Sequence, residues 1–142
     1  MDGGDMRQGI ARRRILVVED NVEAHETLAD LLRLEGHDVA SAFDGIAGLC
    51  RARGGDIDVL ICDIGLPGLD GLQLLAQLRA TPGANIPFAI AISGNDAPDQ
   101  ASKAIGAGYG QYLLKPVDID ALLGLVSSDM VTRFIAAAAQ RR

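Results

Sequence analysis

The 142-residue chain is about half apolar, enough for one domain with a sizeable core, and carries a formal net charge of −6. That acidic balance argues against a nucleic-acid binder, which would show a basic face. No apolar run approaches the roughly 18 residues of a membrane span, and the opening Met1-Asp2-Gly3-Gly4-Asp5 lacks the charged-then-apolar order of a signal peptide, so a cytoplasmic protein with no membrane partner is expected.

Residues 1–12 show no hydrophobic period and read as a flexible leader. Arg12-Arg13-Arg14 reads as a solvated basic edge ahead of the first strand. Short apolar runs then alternate with amphipathic stretches, the pattern of a parallel sheet covered on both faces. Strands are predicted at 15–18, 38–42, 58–62, 88–92 and 111–114. The first helix is predicted over 22–35, with Val22, Leu28, Leu31 and Leu32 inward and Gly36 as its cap. The second covers 45–53 and stops at Gly54-Gly55. The third covers 70–80, with Asp70 as its N-cap and Leu72, Leu75 and Leu78 inward. The fourth starts near Ala97-Pro98 and ends at Gly106. A fifth begins after Pro116. Five βα units with short connections imply an α/β, flavodoxin-like (βα)5 doubly wound fold, a five-stranded parallel sheet of order 2-1-3-4-5.

Beyond Ile119 the apolar positions Ile119, Leu122, Val126, Met130, Phe134 and Ala138 recur at helical spacing. They fit one long helix, or two with a break at Ser127-Ser128-Asp129. The tail either projects an apolar stripe toward a partner or folds back on its own domain. Cys50 and Cys62 lack zinc or redox spacing and read as buried free thiols, in keeping with a reducing compartment.

The chemistry gathers at the strand ends. Glu19 and Asp20, Asp63, Ser93 and Lys115 each follow one of the apolar runs, and the C-terminal ends of parallel strands lie side by side at the ligand-binding edge of such sheets. Three carboxylates, a hydroxyl and an ammonium there suit a divalent cation and a phosphoryl group: carboxylate oxygens for Mg²⁺, Lys115 and Ser93 for phosphoryl oxygens. Gly65 lets the backbone approach a ligand and Pro67 stiffens the turn. Asp56 and Asp58 precede their strand and read as structural. Gly106-Ala107-Gly108-Tyr109-Gly110 precedes a strand instead of following one and is a helix stop, not a dinucleotide loop.

Over residues 13–127 the chain resembles the response-regulator receiver domain of two-component signalling. The resemblance is carried by Ile15-Leu16-Val17-Val18-Glu19-Asp20-Asn21, the loop from Asp63 to Gly71, Ile92-Ser93-Gly94, and Ala107-Gly108 leading to Tyr112-Leu113-Leu114-Lys115-Pro116. It implies that Asp63 is the phosphoacceptor and that Asp20, Asp63 and the Gly65 carbonyl bind Mg²⁺, with Glu19 acting through water. Lys115 would pair with Asp63 and then with the phosphoryl group. Ser93 and Tyr112 would be the switch pair, and the Lys115-Pro116 bond would be cis.

The implied partners are a histidine kinase or histidine phosphotransferase and an unidentified downstream protein, with a homodimer through the fourth and fifth helices or the tail as a further expectation. His25, beside the site, is expected to be solvated where a kinase would dock. Glu19 stands where the family commonly has a first Asp. Gly65 and Asn95 occupy positions that in the family help set phosphoryl lifetime. Residues 128–142 lie outside the family core, as a helical extension or linker. The expected protein is a stand-alone receiver and no enzyme beyond its own phosphorylation and dephosphorylation. Alternatives are a receiver cut from a hybrid kinase, a phosphorelay shuttle, or a scaffold never phosphorylated.

Overall fold

Five apolar strands, β1 (Arg14–Val18), β2 (Asp38–Ala42), β3 (Val59–Asp63), β4 (Phe88–Ser93) and β5 (Gln111–Leu114), pair in parallel in the order β2-β1-β3-β4-β5 in the computed structural model, which describes residues 11–94 and 98–140. One row of the register runs Ser41, Val17, Ile61, Ile90 and Gln111. The helices between and after them are α1 (Val22–Leu34), α2 (Gly45–Arg53), α3 (Gly71–Arg79), α4 (Pro98–Ala107), α5 (Ile119–Val126) and α6 (Asp129–Gln140). The leader up to residue 10, Asn95 and Ala97 lie outside the described residues.

Alternate strand residues feed two cores, as a two-residue period with both faces covered requires. Leu16, Val18, Leu60, Cys62, Ala89 and Ala91 pack on the side of Leu49, Leu74, Leu75 and Leu78 from α2 and α3. Ile15, Val17, Val59, Ile61, Ile90 and Ile92 pack on the side of Leu28 and Leu32 from α1, Leu122 and Val126 from α5 and Val131 from α6.

Four helices begin with an Asx cap close behind a strand. Asn21, Asp44, Asp70 and Asp118 each accept from the backbone N–H three residues on, and Asp70 with Gln73 closes a reciprocal capping box. The caps fix where the chain turns from strand to helix, so the loops bearing the acidic residues share one edge of the sheet.

The tail breaks in two. Ser127 ends α5, and Ser128 Oγ accepts from Val131 N–H at the start of α6. Although residues 119–140 are apolar enough by composition and length to cross a membrane, contrary to the expectation from run lengths, they are two helices here. Val131 is buried, and Phe134 meets Phe88 edge to face at 5.4 Å, so α6 folds back on the sheet. Its seam is locked by Arg13, whose guanidinium donates to the carbonyls of Val126 and Ser128 and to Thr132 Oγ1.

The basic run is therefore a solvated edge at Arg12 and Arg14, which are exposed, but not at Arg13. Arg13 is buried, Arg12 pairs with Asp38, and Arg14 pairs with Asp58 and Asp56. Other positions shift by a turn or a face. Val22, in the first turn of α1, is exposed, and Leu31 is only partly buried. In α3, Leu74 is fully buried while Leu72 packs at the margin. Cys62 is buried as expected, but Cys50 is exposed, because Gly45, Gly48, Leu49 and Ala52 are the residues that α2 turns inward. Glu35 caps α1, with Gly36 following at φ 99°. The Lys115-Pro116 bond is cis.

Candidate functional site

Three charged side chains spring from backbone that the sheet holds in place. Glu19, directly after β1, donates its N–H to the carbonyl of Ala42. Asp63 is the last residue of β3, and the next residue, Ile64, still bonds to Ile92 of β4. Lys115, directly after β5, donates its N–H to the carbonyl of Ser93 at 2.8 Å. These anchors bring side chains distant in sequence together at the C-terminal edge of the three strands.

Lys115 Nζ lies 2.8 Å from Glu19 Oε1 and 2.8 Å from Asp63 Oδ2. The other oxygen of each carboxylate is also held: Asp63 Oδ1 accepts from Gly65 N–H at 2.7 Å, and Glu19 Oε2 accepts from Asn21 N–H at 3.0 Å. Glu19 and Asp63 are buried and Asp20 is exposed, and one carboxylate oxygen from each lies within 4.8 Å of the others. Burial pulls the Lys115 pKa down, but its bonds to Asp63 and Glu19 outweigh that, and the net shift is upward. The ammonium therefore stays charged through the neutral range.

Three carboxylates against one ammonium leave two negative charges on a small patch. Like charges at such spacing favour a bound cation or a proton, and three hard oxygen donors fit Mg²⁺, which takes few carboxylates and fills its remaining positions with water and phosphate oxygens. The patch opens onto a cleft of about 480 Å³ whose inner walls are Val17, Leu28, Ile61, Ile92, Val117 and Ile119. Apolar walls beside the charges weaken solvent screening and strengthen each ionic contact.

Ser93 ends β4, one position past Ile92, which pairs with Asp63, and it is buried. Tyr112 on β5 is half-buried against the core on the α2 and α3 side. Gly65 is exposed at the start of the loop. Asp70 serves as a cap and Asp58 as a partner of Arg14, so neither joins the cluster. His25 is the clearest correction. It is buried, stacked on Phe43 at 4.2 Å, with Nδ1 3.0 Å from the Glu19 carbonyl oxygen. The signal was available, since His25 shares the i, i+3, i+4, i+7 stripe of Leu28, Ala29 and Leu32. Tyr109, which the sequence places only in a turn, is buried and donates its hydroxyl to the carbonyl of Gly71 at 2.7 Å.

Fold and site define a doubly wound α/β module with an acidic, lysine-bearing pocket at its strand ends. Residues 15–127 match the family model of the response regulator receiver domain. The transcriptional regulatory protein PrrA of Mycobacterium tuberculosis is 32% identical over 123 residues, 87% of this chain and 52% of PrrA. Among solved structures, the receiver domain of the Francisella response regulator 1452 superposes with a TM-score of 0.77 at 28% identity, covering 86% of this chain and 98% of that one. The receiver domain of Saccharomyces cerevisiae Ssk1, solved with the histidine phosphotransfer protein Ypd1, gives 0.72 at 24% identity, covering 80% and 85%. The chain belongs to the response regulator receiver domain family. It spans about half the length of the curated relatives it matches.

Proposed function

We propose that the chain accepts a phosphoryl group on Asp63 from a phosphohistidine donor and that the modified protein is read by a partner. The observation that carries this reading is the placement of Asp63, one oxygen on Lys115 and the other on the Gly65 amide, inside a cluster of three carboxylates.

Asp63 supplies the attacking oxygen: the P–N bond of the donor breaks as the O–P bond forms, and the donor imidazole leaves. Lys115, already within reach of Asp63, shifts its ammonium onto an oxygen of the arriving phosphoryl group and offsets charge there. Ser93 is the hydroxyl proposed to follow the phosphoryl group, with Tyr112 moving behind it on the α4, β5 and α5 face. Asp20, Asp63 and the Gly65 carbonyl are assigned to Mg²⁺, and Glu19 to its water. When bound, the ion supplies charge neutralisation for the phosphoryl oxygens. Water in the same pocket then attacks phosphorus, the O–P bond to Asp63 breaks, and inorganic phosphate leaves the carboxylate free. The catalysis proposed for the chain is confined to its own phosphorylation and dephosphorylation.

A histidine phosphotransferase or kinase is the expected donor, by analogy with the Ssk1–Ypd1 pair. Ile105 on α4 and Leu114 on β5 are exposed apolar residues on the face assigned to the readout, which suits a downstream protein or a second copy of the chain. We assign the module to the cytoplasm, where such donors act.

Intact mass after incubation with Mg²⁺ and acetyl phosphate, beside Asp63→Asn, tests the reading. One phosphoryl adduct, lost in the variant and without Mg²⁺, is expected. A folded protein that gains no adduct from acetyl phosphate or from a phosphohistidine donor would support the scaffold reading instead.

A further inference from the structure

We infer that His25 is a positioning residue for the acidic cluster, acting through the backbone between Glu19 and Asp20. This rests on the functional reading above. A polar ring on the buried stripe of α1 needs a reason, since an aliphatic residue would fill that place without leaving a nitrogen to satisfy. His25 Nδ1 lies 3.0 Å from the Glu19 carbonyl oxygen. A carbonyl only accepts, so Nδ1 carries the hydrogen and donates it. Nε2 is buried without a partner, so the contact to Glu19 is the ring's one hydrogen bond among the described residues.

That carbonyl belongs to the peptide joining Glu19 to Asp20, and its plane sets where both side chains leave the main chain. Glu19 N–H is tied to Ala42 and Asn21 N–H to Glu19 Oε2. The His25 bond completes this frame at the only oxygen that the Glu19–Asp20 peptide offers. Phe43, stacked on the ring at 4.2 Å, holds the imidazole in that orientation from the β2 side. Hydrogen bonds behind metal-binding groups commonly matter to affinity by roughly tenfold or more. Here the bond reaches a main-chain atom, so it orients two carboxylates at once.

Two substitutions separate positioning from space filling. His25→Phe keeps a ring against Phe43 and loses the donor. His25→Asn loses the ring but keeps an N–H where Nδ1 was. The first readout is the Asp20 backbone amide in metal-free protein by NMR, because the Glu19 carbonyl precedes it. It should move in His25→Phe and stay close to the parent in His25→Asn. The second is Mg²⁺ affinity by calorimetry, expected to fall roughly tenfold in His25→Phe and to stay within about twofold in His25→Asn. A space-filling role predicts the reverse order, with the phenylalanine variant unaffected and the asparagine variant damaged, and that order overturns the inference. Equal affinity in all three proteins overturns it too and leaves the functional reading standing. A parent chain that binds no Mg²⁺ overturns both.

Discussion

Arg13 donates its Nε hydrogen to the carbonyl of Val126 at 3.0 Å, so a residue just before the first strand caps the last turn of α5. The same guanidinium reaches Ser128 and Thr132, and the side chain is buried. Arg13→Ala should cost about 2–3 kcal/mol, the scale of charge-assisted bonds whose acceptors are left unpaired. Urea unfolding measures the loss, and hydrogen exchange should show it concentrated in α6. Arg13→Lys should recover only part, because an ammonium cannot span three acceptors in one plane.

Lys115 holds Asp63, which is also assigned to the cation, and puts a positive charge beside the site. Lys115→Ala should therefore bind Mg²⁺ more tightly, by a factor of roughly ten for removal of one nearby positive charge, yet accept phosphoryl groups more slowly. Calorimetry and intact mass over time check the two halves. Tighter binding with faster phosphorylation would contradict the role assigned to the ammonium.

His37 gives the fold a pH dependence. Its Nδ1 accepts from Arg13 N–H at 3.0 Å, and burial first, then the Arg13 charge, lower its pKa from the ordinary 6.5, against smaller opposing effects of Glu35 and Asp38. Because the unfolded chain binds the proton more readily, stability is full above about pH 6.5 and falls as pH drops through the window below it. His37→Asn, which keeps an acceptor but does not titrate, should flatten that slope in denaturation series between pH 7 and pH 5.

The two thiols should differ in reactivity. Cys50 is exposed, whereas burial pushes the Cys62 thiol up to about 12. One equivalent of a maleimide should label the native chain, and Cys50→Ser should abolish labelling until denaturant is added. Two equivalents on the native protein would mean that the centre of β3 opens readily.

Gly71 sits where a side chain cannot. A Cβ there would lie 2.6 Å from Ile64 Cα and 3.0 Å from the Asp63 carbonyl oxygen. Gly71→Ala should destabilise by about 1–3 kcal/mol through overpacking and disturb Asp63 with it. A thermal melt beside the phosphorylation assay reads both effects.

The fold was legible because its signals are periodic and local. Val59 to Cys62 is an uninterrupted apolar run, and Asp70 followed by Gln73 announces a helix start. The acidic cluster was legible too, since Glu19, Asp63 and Lys115 each follow such a run. What escaped was polar residues used as internal struts. Arg13 looks like one of three equivalent arginines until α5 and α6 fold over it, and that contact spans 113 residues. His25 is expected in solvent beside the site, while its place on the helical stripe points inward. Cys50 departs the other way: its apolar character predicts burial, and the face that α2 turns inward leaves it outside.

The bond between Lys115 and Asp63 joins residues 52 positions apart, and Lys115 arrives with the last strand of the sheet. Without β5 beside β4, Glu19 and Asp63 would lack the ammonium that stands between them. The acidic pocket is thus complete only when the whole sheet is: the counter-charge on which the proposed transfer depends comes from the residue that follows the fifth strand.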